Sequence, residues 1–415
     1  MIEGRLIVCI ASSWDYDPTS KHQIMSILAR RNDIVWVNYH GTRRPRANAA
    51  DVRAAWSAIW RFVRGALRVT PSIVQVTPLV IPGTSSGILS RLHQWLLLAQ
   101  IRRAVRAVDP EGRKPVQLWS FAPDVPLLCG RLNEECSIYY CVDEYSEFEG
   151  FDSRGIKRSE KEFMARADVV VTTSQSLFEA KGLDRPDTLL VRHGVNFDHF
   201  AAAWRSSPRR PDELARVPSP IFGFFGLIHH WIDCALLAQV ARLRPHYSFV
   251  LIGDCRIDVS ELARLDNVYL LGRRPYAELP AYCAAFDAGL LPFARSAMTR
   301  NINPIKMYEY LAAGLPVVST TLPEARRFAG PVTIAGTAEE FADACDGVLA
   351  ADYSGRREAI SVTVKDDTWV SRVELLSEAI IGAVDRKSGN HGVLGAAASA
   401  QGNGGSDLVP VLSGG

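Results

Sequence analysis

Apolar residues in this chain gather in short runs that alternate with stretches of helical period. Arg5 to Ala11 holds an apolar run of strand length, Ser20-x-x-Gln23 reads as a capping box opening a helix with Ile24, Ile27 and Leu28 on one face, and Asp33 to Tyr39 is a second strand. That is a βαβ unit. Further strands fit Gln117 to Ser120, Ser137 to Val142, Val169 to Thr172 and Thr188 to Arg192. From Ser207 to Pro220 the chain turns to Ser, Pro and Arg without periodicity, which reads as a linker. A second series follows, with strands near 221 to 225, 248 to 252, 267 to 271, 288 to 292, 316 to 319 and 332 to 334. Its helices fall near 233 to 243, 276 to 286, 304 to 313 and 338 to 349. Two such series predict an α/β protein of two Rossmann-like domains facing across a cleft. The boundaries are 1 to 200 for the first domain, 201 to 220 for the linker and 221 to 365 for the second domain. A closing helix follows over 366 to 386, and a Gly-, Ala- and Ser-rich tail from 387 to 415 is expected to be disordered.

Composition narrows the class. The 415 residues are 47% hydrophobic and 22% charged with a net charge of +2, which gives no ground for nucleic acid as a partner. The eight cysteines sit mostly in apolar runs, with no CxxC and no Cys/His pairing at zinc spacing, so buried thiols in a reducing cytoplasm are expected. The apolar stretch near the first residue is too short for a signal peptide, and no segment has the roughly 18 uninterrupted apolar residues of a membrane span.

Candidate chemistry concentrates in NINPIKMYEYLAAGLPVVST, residues 301 to 320. Asn303 is a good N-cap, Pro304 suits the first helical turn and Gly314 suits a left-handed C-cap, so a helix is expected from 304 to 313. Ile305, Tyr308 and Leu311 form its packing face, with Lys306 and Glu309 on an adjacent one. A helix N-terminus with a lysine beside it suits a phosphate. Glu309, one turn deeper, suits a cis-diol such as that of a ribose, because a carboxylate accepts two hydrogen bonds at once. The competing possibility is an exposed i,i+3 ion pair. Ligands of such sheets bind beyond the carboxyl ends of strands, where Gly223 and Gly226, the pair Gly272-Arg273 and the loop residue Arg300 are also expected. No GxGxxG occurs at either βα turn, so a nicotinamide or flavin fingerprint is absent.

The stretches FGFFGLIHHWID, LLAQVARLRPHYSFVLIGD, NVYLLGRRPYAELPAYCAAFDAGLLPF and TRNINPIKMYEYLAAGLPVVST together closely resemble the carboxyl-terminal domain of bacterial GT-B glycosyltransferases of the group 1, or family 4, type. The subgroup most resembled includes teichuronic-acid and exopolysaccharide transferases. The likeness extends into the first domain through YYCVDEYSEFEGF, ADVVVTTSQSLFE and LLVRHGVNFDHF. It implies a nucleotide-diphosphate sugar donor, with Glu309 on the ribose and Arg300 and Lys306 near the diphosphate. One departure is plain: many relatives carry a second glutamate where this chain has Asn301. The negative charge developing on the leaving diphosphate could be met by Arg300, Lys306 and the helix end without a metal. A lone DxD, Asp15-Tyr16-Asp17, is of a kind expected by chance, and no metal site is expected. Asp143, beyond the strand ending at Val142, is the preferred base for an acceptor hydroxyl, ahead of its neighbour Glu144. A turn or cap role is the alternative for Asp143. His22 could touch phosphate or acceptor, or be a surface residue of the capping region; His193 reads as structural.

Between Arg43 and Arg68 seven arginines face the single acid Asp51, with Val52, Trp56, Ile59, Trp60, Val63 and Leu67 on one helical face. RLHQWLLLAQIRRAVRAV, 91 to 108, repeats that character. Such stripes suit an anionic membrane surface, and equally an amphipathic helix packed on its own sheet. The expected function is transfer of a sugar to a saccharide acceptor, polyprenyl-linked if the membrane reading holds, by a cytoplasmic enzyme peripheral to the inner membrane and active in surface polysaccharide synthesis. A sugar-nucleotide epimerase of the same plan and an inactive transferase-like scaffold remain the alternatives.

Overall fold

A computed structural model describes residues 1–15, 18–39, 65–79, 87–206 and 208–389. The chain divides into two compact units, 1–192 with 372–415, and 193–371.

The first unit is built on a sheet of eight strands. In chain order these are β1 (Leu6–Ala11), β2 (Asp33–Asn38), β3 (Leu67–Thr70), β4 (Ile73–Val76), β5 (Val116–Ser120), β6 (Cys136–Cys141), β7 (Val169–Thr172) and β8 (Leu189–Leu190). Their spatial order is β3-β4-β2-β1-β5-β6-β7-β8, parallel except for the β3–β4 pair. β1 is buried along its whole length, which is why it reads as an unbroken apolar run: a central parallel strand has helices over both faces. β1 lies between β2 and β5, so the chain reverses direction across the sheet there and a crevice opens beyond the carboxyl ends of β1 and β5.

The second unit has six strands, β9 (Ile221–Phe225), β10 (Ser248–Ile252), β11 (Val268–Gly272), β12 (Ala288–Leu291), β13 (Val317–Thr320) and β14 (Val332–Ala335). Their order is β11-β10-β9-β12-β13-β14, parallel throughout, and the reversal falls between β9 and β12. Gly223 sits mid-strand in β9, where a Cβ would land 1.9 Å from the Phe286 ring; it is therefore a packing glycine and not the strand-end residue expected from the sequence.

Several expected elements differ in detail. The stretch 201–220 is no free linker: it contains the end of a helix, Phe197–Arg205, and a turn at Asp212–Leu214. Phe200, Leu214 and Val217 join the core of the second unit, so the Ser-, Pro- and Arg-rich spelling conceals anchors spaced too far apart to show a period. The hairpin β3–β4 was not anticipated; Leu67 and Arg68, assigned from sequence to a basic helix, lie in β3. The remainder of that stretch, 43–64, is outside the described residues, as are Tyr16, Asp17 and the tail from 390. The expected capping box at Ser20 falls one residue earlier, with Thr19 N donating to His22 Nδ1 at 3.2 Å. The closing helix runs Trp369–Lys387, and from Arg372 onward it belongs to the first unit. It buries Val373, Leu376, Ile380 and Ala383 along one face, and Lys387 reaches Asp168 at 2.9 Å.

Replacing Gly223 with alanine should destabilise the protein by about 1–3 kcal/mol, because the added methyl has to displace a buried ring. Urea denaturation would show this as a lower midpoint with an unchanged slope; an unchanged midpoint would mean that Phe286 moves freely.

Candidate functional site

The helix Ile305–Ala312 follows β12 and opens at the crevice between β9 and β12. It is buried almost all round: Met307, Tyr308, Tyr310, Leu311 and Ala312 are fully enclosed. Gly314 ends it with φ 71°, as the sequence suggests. The start differs. The cap position is Pro304, with no side-chain cap, and Asn303 is 3% exposed with its amide nitrogen donating to Tyr308 Oη at 3.1 Å. Asn303 therefore points its amide into the protein and anchors the helix start. His193 Nδ1 donates to the Asn303 carbonyl at 2.8 Å, so this histidine also serves the same turn.

Two contacts tie the helix to β9. Phe225 N, at the end of that strand, donates to Tyr310 Oη at 3.0 Å. Gly226 follows with φ 140°, and a Cβ there would lie 2.8 Å from Lys306 Cε, so the lysine stem lies across the glycine. Gly253, after β10, is more tightly placed, since a Cβ there would lie 1.9 Å from the Gly226 carbonyl oxygen. The result is a small-residue floor at the carboxyl edge with an ammonium beside it. Arg273, after β11, and Arg300, in the turn before the helix, are both exposed.

Glu309 is 5% exposed, which rules out the solvated ion pair. Burial raises its pKa above the ordinary carboxylate value, while the Lys306 charge and a hydrogen bond from Tyr276 oppose that rise. Tyr276 itself is held by Asn196, whose Nδ2 donates to its Oη at 3.1 Å, and by His199, whose ring stacks on it at 4.9 Å. Sequence reasoning missed Tyr276, Asn196, His199 and Tyr310. The first three come from segments distant from the helix, and no spacing connects them to Glu309.

The first unit gathers a separate set of groups at the carboxyl edge of its own sheet. Asp143 follows β6 and is half-buried; burial pushes its carboxyl up to about 7, and the Lys21 charge pulls it back. Among the described residues its carboxylate makes no side-chain hydrogen bond or ion pair. Glu144 is occupied otherwise: it binds Lys181 at 2.6 Å, and this charge outweighs burial to hold its carboxyl below the ordinary range. Lys181 also meets Glu160 at 2.7 Å. His22 is buried, with Nδ1 at Thr19 and its ring among Trp14 and Trp36 at 5.3 and 4.9 Å, so it is not the surface residue its position suggested. Asp124, unmarked by any motif, is 4% exposed and accepts from Tyr39 Oη at 2.9 Å; burial raises it to about 7.

Against known proteins, residues 219–351 match the profile of Glycosyl transferases group 1. The matched residues contain β9 to β14 and the whole Lys306–Glu309 constellation. An alignment of 256 positions, covering 56% of this chain and 63% of the relative, gives 28% identity to TuaH of Bacillus subtilis (strain 168), which carries the name of a teichuronic acid biosynthesis glycosyltransferase. Among solved structures, Anabaena Alr3699/HepE in complex with UDP and glucose superposes with a TM-score of 0.64 at 15% identity, over 91% of this chain and 100% of that one. An alpha,alpha-trehalose 6-phosphate synthase from Burkholderia multivorans gives 0.63 at 12% identity, over 92% and 99%. The fold is that of the GT-B glycosyltransferases.

Asp124 yields a pH prediction. In the unfolded chain its carboxyl ionises near 3.8, and in the folded protein near 7, so between those values the native state holds the extra proton. Stability should therefore fall as pH rises through that window, by up to about 1.4 kcal/mol per unit, and level off above it. Asp124→Asn should remove this part of the slope in urea denaturation at acidic and at mildly alkaline pH. An unchanged slope would show that Asp124 is already ionised in the folded protein.

Proposed function

We propose that the chain is a glycosyltransferase that moves a sugar from a nucleotide-diphosphate sugar to a saccharide acceptor. The observation that carries this reading is a buried glutamate one turn inside a helix whose lysine lies over the glycine ending the neighbouring strand. Glu309 would take the ribose hydroxyls, and Gly226 would let the diphosphate approach the backbone. Lys306, Arg300 and the unpaired N–H groups of the helix start would stabilise its charge as the sugar departs. Arg273 lies at the same sheet edge, within the stretch that matches the group 1 profile. Charge neutralisation by these groups requires no metal. Asp143, poised near neutrality without a side-chain partner among the described residues, is the proposed acceptor base. His22, enclosed by tryptophans, fits orientation of that sheet edge better than proton transfer. HepE is seen in complex with UDP and with UDP-glucose, which makes UDP-sugars the first donors to assay.

The acceptor is proposed to be lipid-linked, in surface polysaccharide synthesis at the cytoplasmic face of a membrane. The helix Gly87–Val108 exposes Ile88, Leu92 and Trp95 at 84%, 48% and 64%, at spacings that place them on one face. Arg91, Arg102, Arg103 and Arg106 are exposed on the same helix, which has no acidic residue. An apolar stripe among arginines suits an anionic bilayer. No described helix is long and apolar enough to cross a membrane.

Two experiments test these assignments. Glu309→Gln should weaken binding of UDP by about 10- to 100-fold in calorimetry, with turnover of the matching UDP-sugar falling too, while the melting temperature holds. Unchanged affinity would remove the ribose assignment, and donor binding without turnover under any acceptor would favour an inactive scaffold. In flotation assays the protein should bind vesicles containing phosphatidylglycerol and not those of phosphatidylcholine alone. Trp95→Ala combined with Arg102→Ala should abolish this; binding that survives would place the membrane contact elsewhere.

A further inference from the structure

We infer that the loop between β6 and the helix Ser153–Arg166 is the subsite for the acceptor's sugar ring, with Phe148 and Phe151 as its stacking residues. This rests on the reading of Asp143 as the acceptor base given above.

The loop, residues 143–152, reads DEYSEFEGFD: three aromatic residues, five acids and no lysine or arginine. Its aromatics form a row, with Tyr145 stacked on Phe148 at 5.6 Å and 21°, and Phe151 edge-on to Phe148 at 5.6 Å and 80°. All three stay half-buried, whereas Phe121, Tyr139, Tyr140 and Phe163 of the same unit are fully enclosed. The row begins two residues after Asp143, in a turn closed by Tyr145 N donating to the Asp143 carbonyl at 3.1 Å. An aromatic surface thus adjoins the proposed base.

The chemistry of this surface selects its occupant. A pyranose ring carries apolar C–H groups on its faces and hydroxyls round its edge, so it pairs with aromatic rings flanked by carboxylates. Glu147 and Glu149 are exposed on the loop, Glu147 also meeting Lys157 at 3.4 Å. The phosphates of a nucleotide and an anionic bilayer would both be repelled by five acids in ten residues. A neutral saccharide is not.

The loop is also fixed from beneath, which lowers the ordering cost of binding. Ser146 is buried and its Oγ donates to Glu144 Oε1 at 2.5 Å; Glu144 meets Lys181, Lys181 meets Glu160, and Tyr139 Oη donates to Glu160 Oε1 at 2.6 Å. At the far end Asp152 Oδ1 accepts from Gly155 N at 3.3 Å and caps the next helix. The ion pairs around Lys181 thereby hold the aromatic row in place beside Asp143.

Saturation-transfer difference NMR with methyl β-glucoside, methyl β-galactoside and methyl N-acetyl-β-glucosaminide tests this on wild type, Phe148→Leu, Phe148→Tyr and Phe151→Leu. Wild type should pass saturation to at least one glycoside, mainly to the protons of one ring face. Phe148→Leu should weaken that binding about three- to tenfold and Phe148→Tyr should restore it, with UDP affinity and melting temperature unchanged. No signal with any glycoside, equal signal on both ring faces, or wild-type binding in both leucine variants overturns the inference. Should Phe148→Leu fail to fold, Phe151→Leu carries the same expectation. Calorimetry with UDP keeps the two readings apart. Wild type that binds UDP but no glycoside overturns this inference alone, whereas wild type that binds a glycoside but not UDP ends the transferase reading and the acceptor role with it.

Discussion

The second unit depends on one junction, where the end of β9 is bound to the helix Ile305–Ala312. Phe225 N donates to Tyr310 Oη, and Gly226 turns away with φ 140° beneath the Lys306 stem. The junction lies where the sheet order reverses, between β9 and β12, so the backbone there is not covered by a crossing connection. The gap thus brings together an ammonium, a helix N-terminus and a side-chain-free turn, the groups on which the proposed diphosphate contact rests. Any side chain at Gly226 would push the lysine away from it.

Burial of Glu309 is the energetic counterpart of this junction. An unpaired carboxylate costs several kcal/mol to enclose, and the nearby Lys306 charge offsets part of that cost, leaving the Glu309 pKa above the ordinary carboxylate value. The first unit uses a contrasting arrangement at the carboxyl edge of its own sheet. Glu144 and Glu160 share the Lys181 ammonium. Asp143, next to Glu144 in sequence, makes no side-chain hydrogen bond or ion pair among the described residues and feels the Lys21 charge. Neighbouring carboxylates are thereby separated into one fixed as an ion and one that can exchange a proton near neutrality.

The fold was largely legible because central parallel strands are buried on both faces and therefore spell themselves as apolar runs. Val169–Thr172 and Ile221–Phe225 were read to the residue. Failures came where that rule does not apply. β3 is an antiparallel edge strand with Leu67 and Arg68 exposed, so its composition resembles a basic amphipathic segment. Residues 201–220 hold core anchors within a polar, proline-rich text. At the site, the placement of Lys306, Glu309, Gly226 and Gly314 was legible because it follows from local helix and turn grammar. Gly223 was misplaced because a glycine that admits a ring and one that admits a ligand look alike in a sequence.

The sequence alone determined the two α/β series, the helix with its lysine and glutamate one turn apart, and the glycine that ends it, since each is set by backbone propensity and period over a few residues. Tertiary structure decided which charges are enclosed and what they meet. Asn196 meets Tyr276, and Tyr310 meets Phe225, only because the fold brings distant segments together, and Asp124 acquires its raised pKa only from the residues that bury it. Hydrogen bonds and desolvation act through space, and separation along the chain carries no record of them.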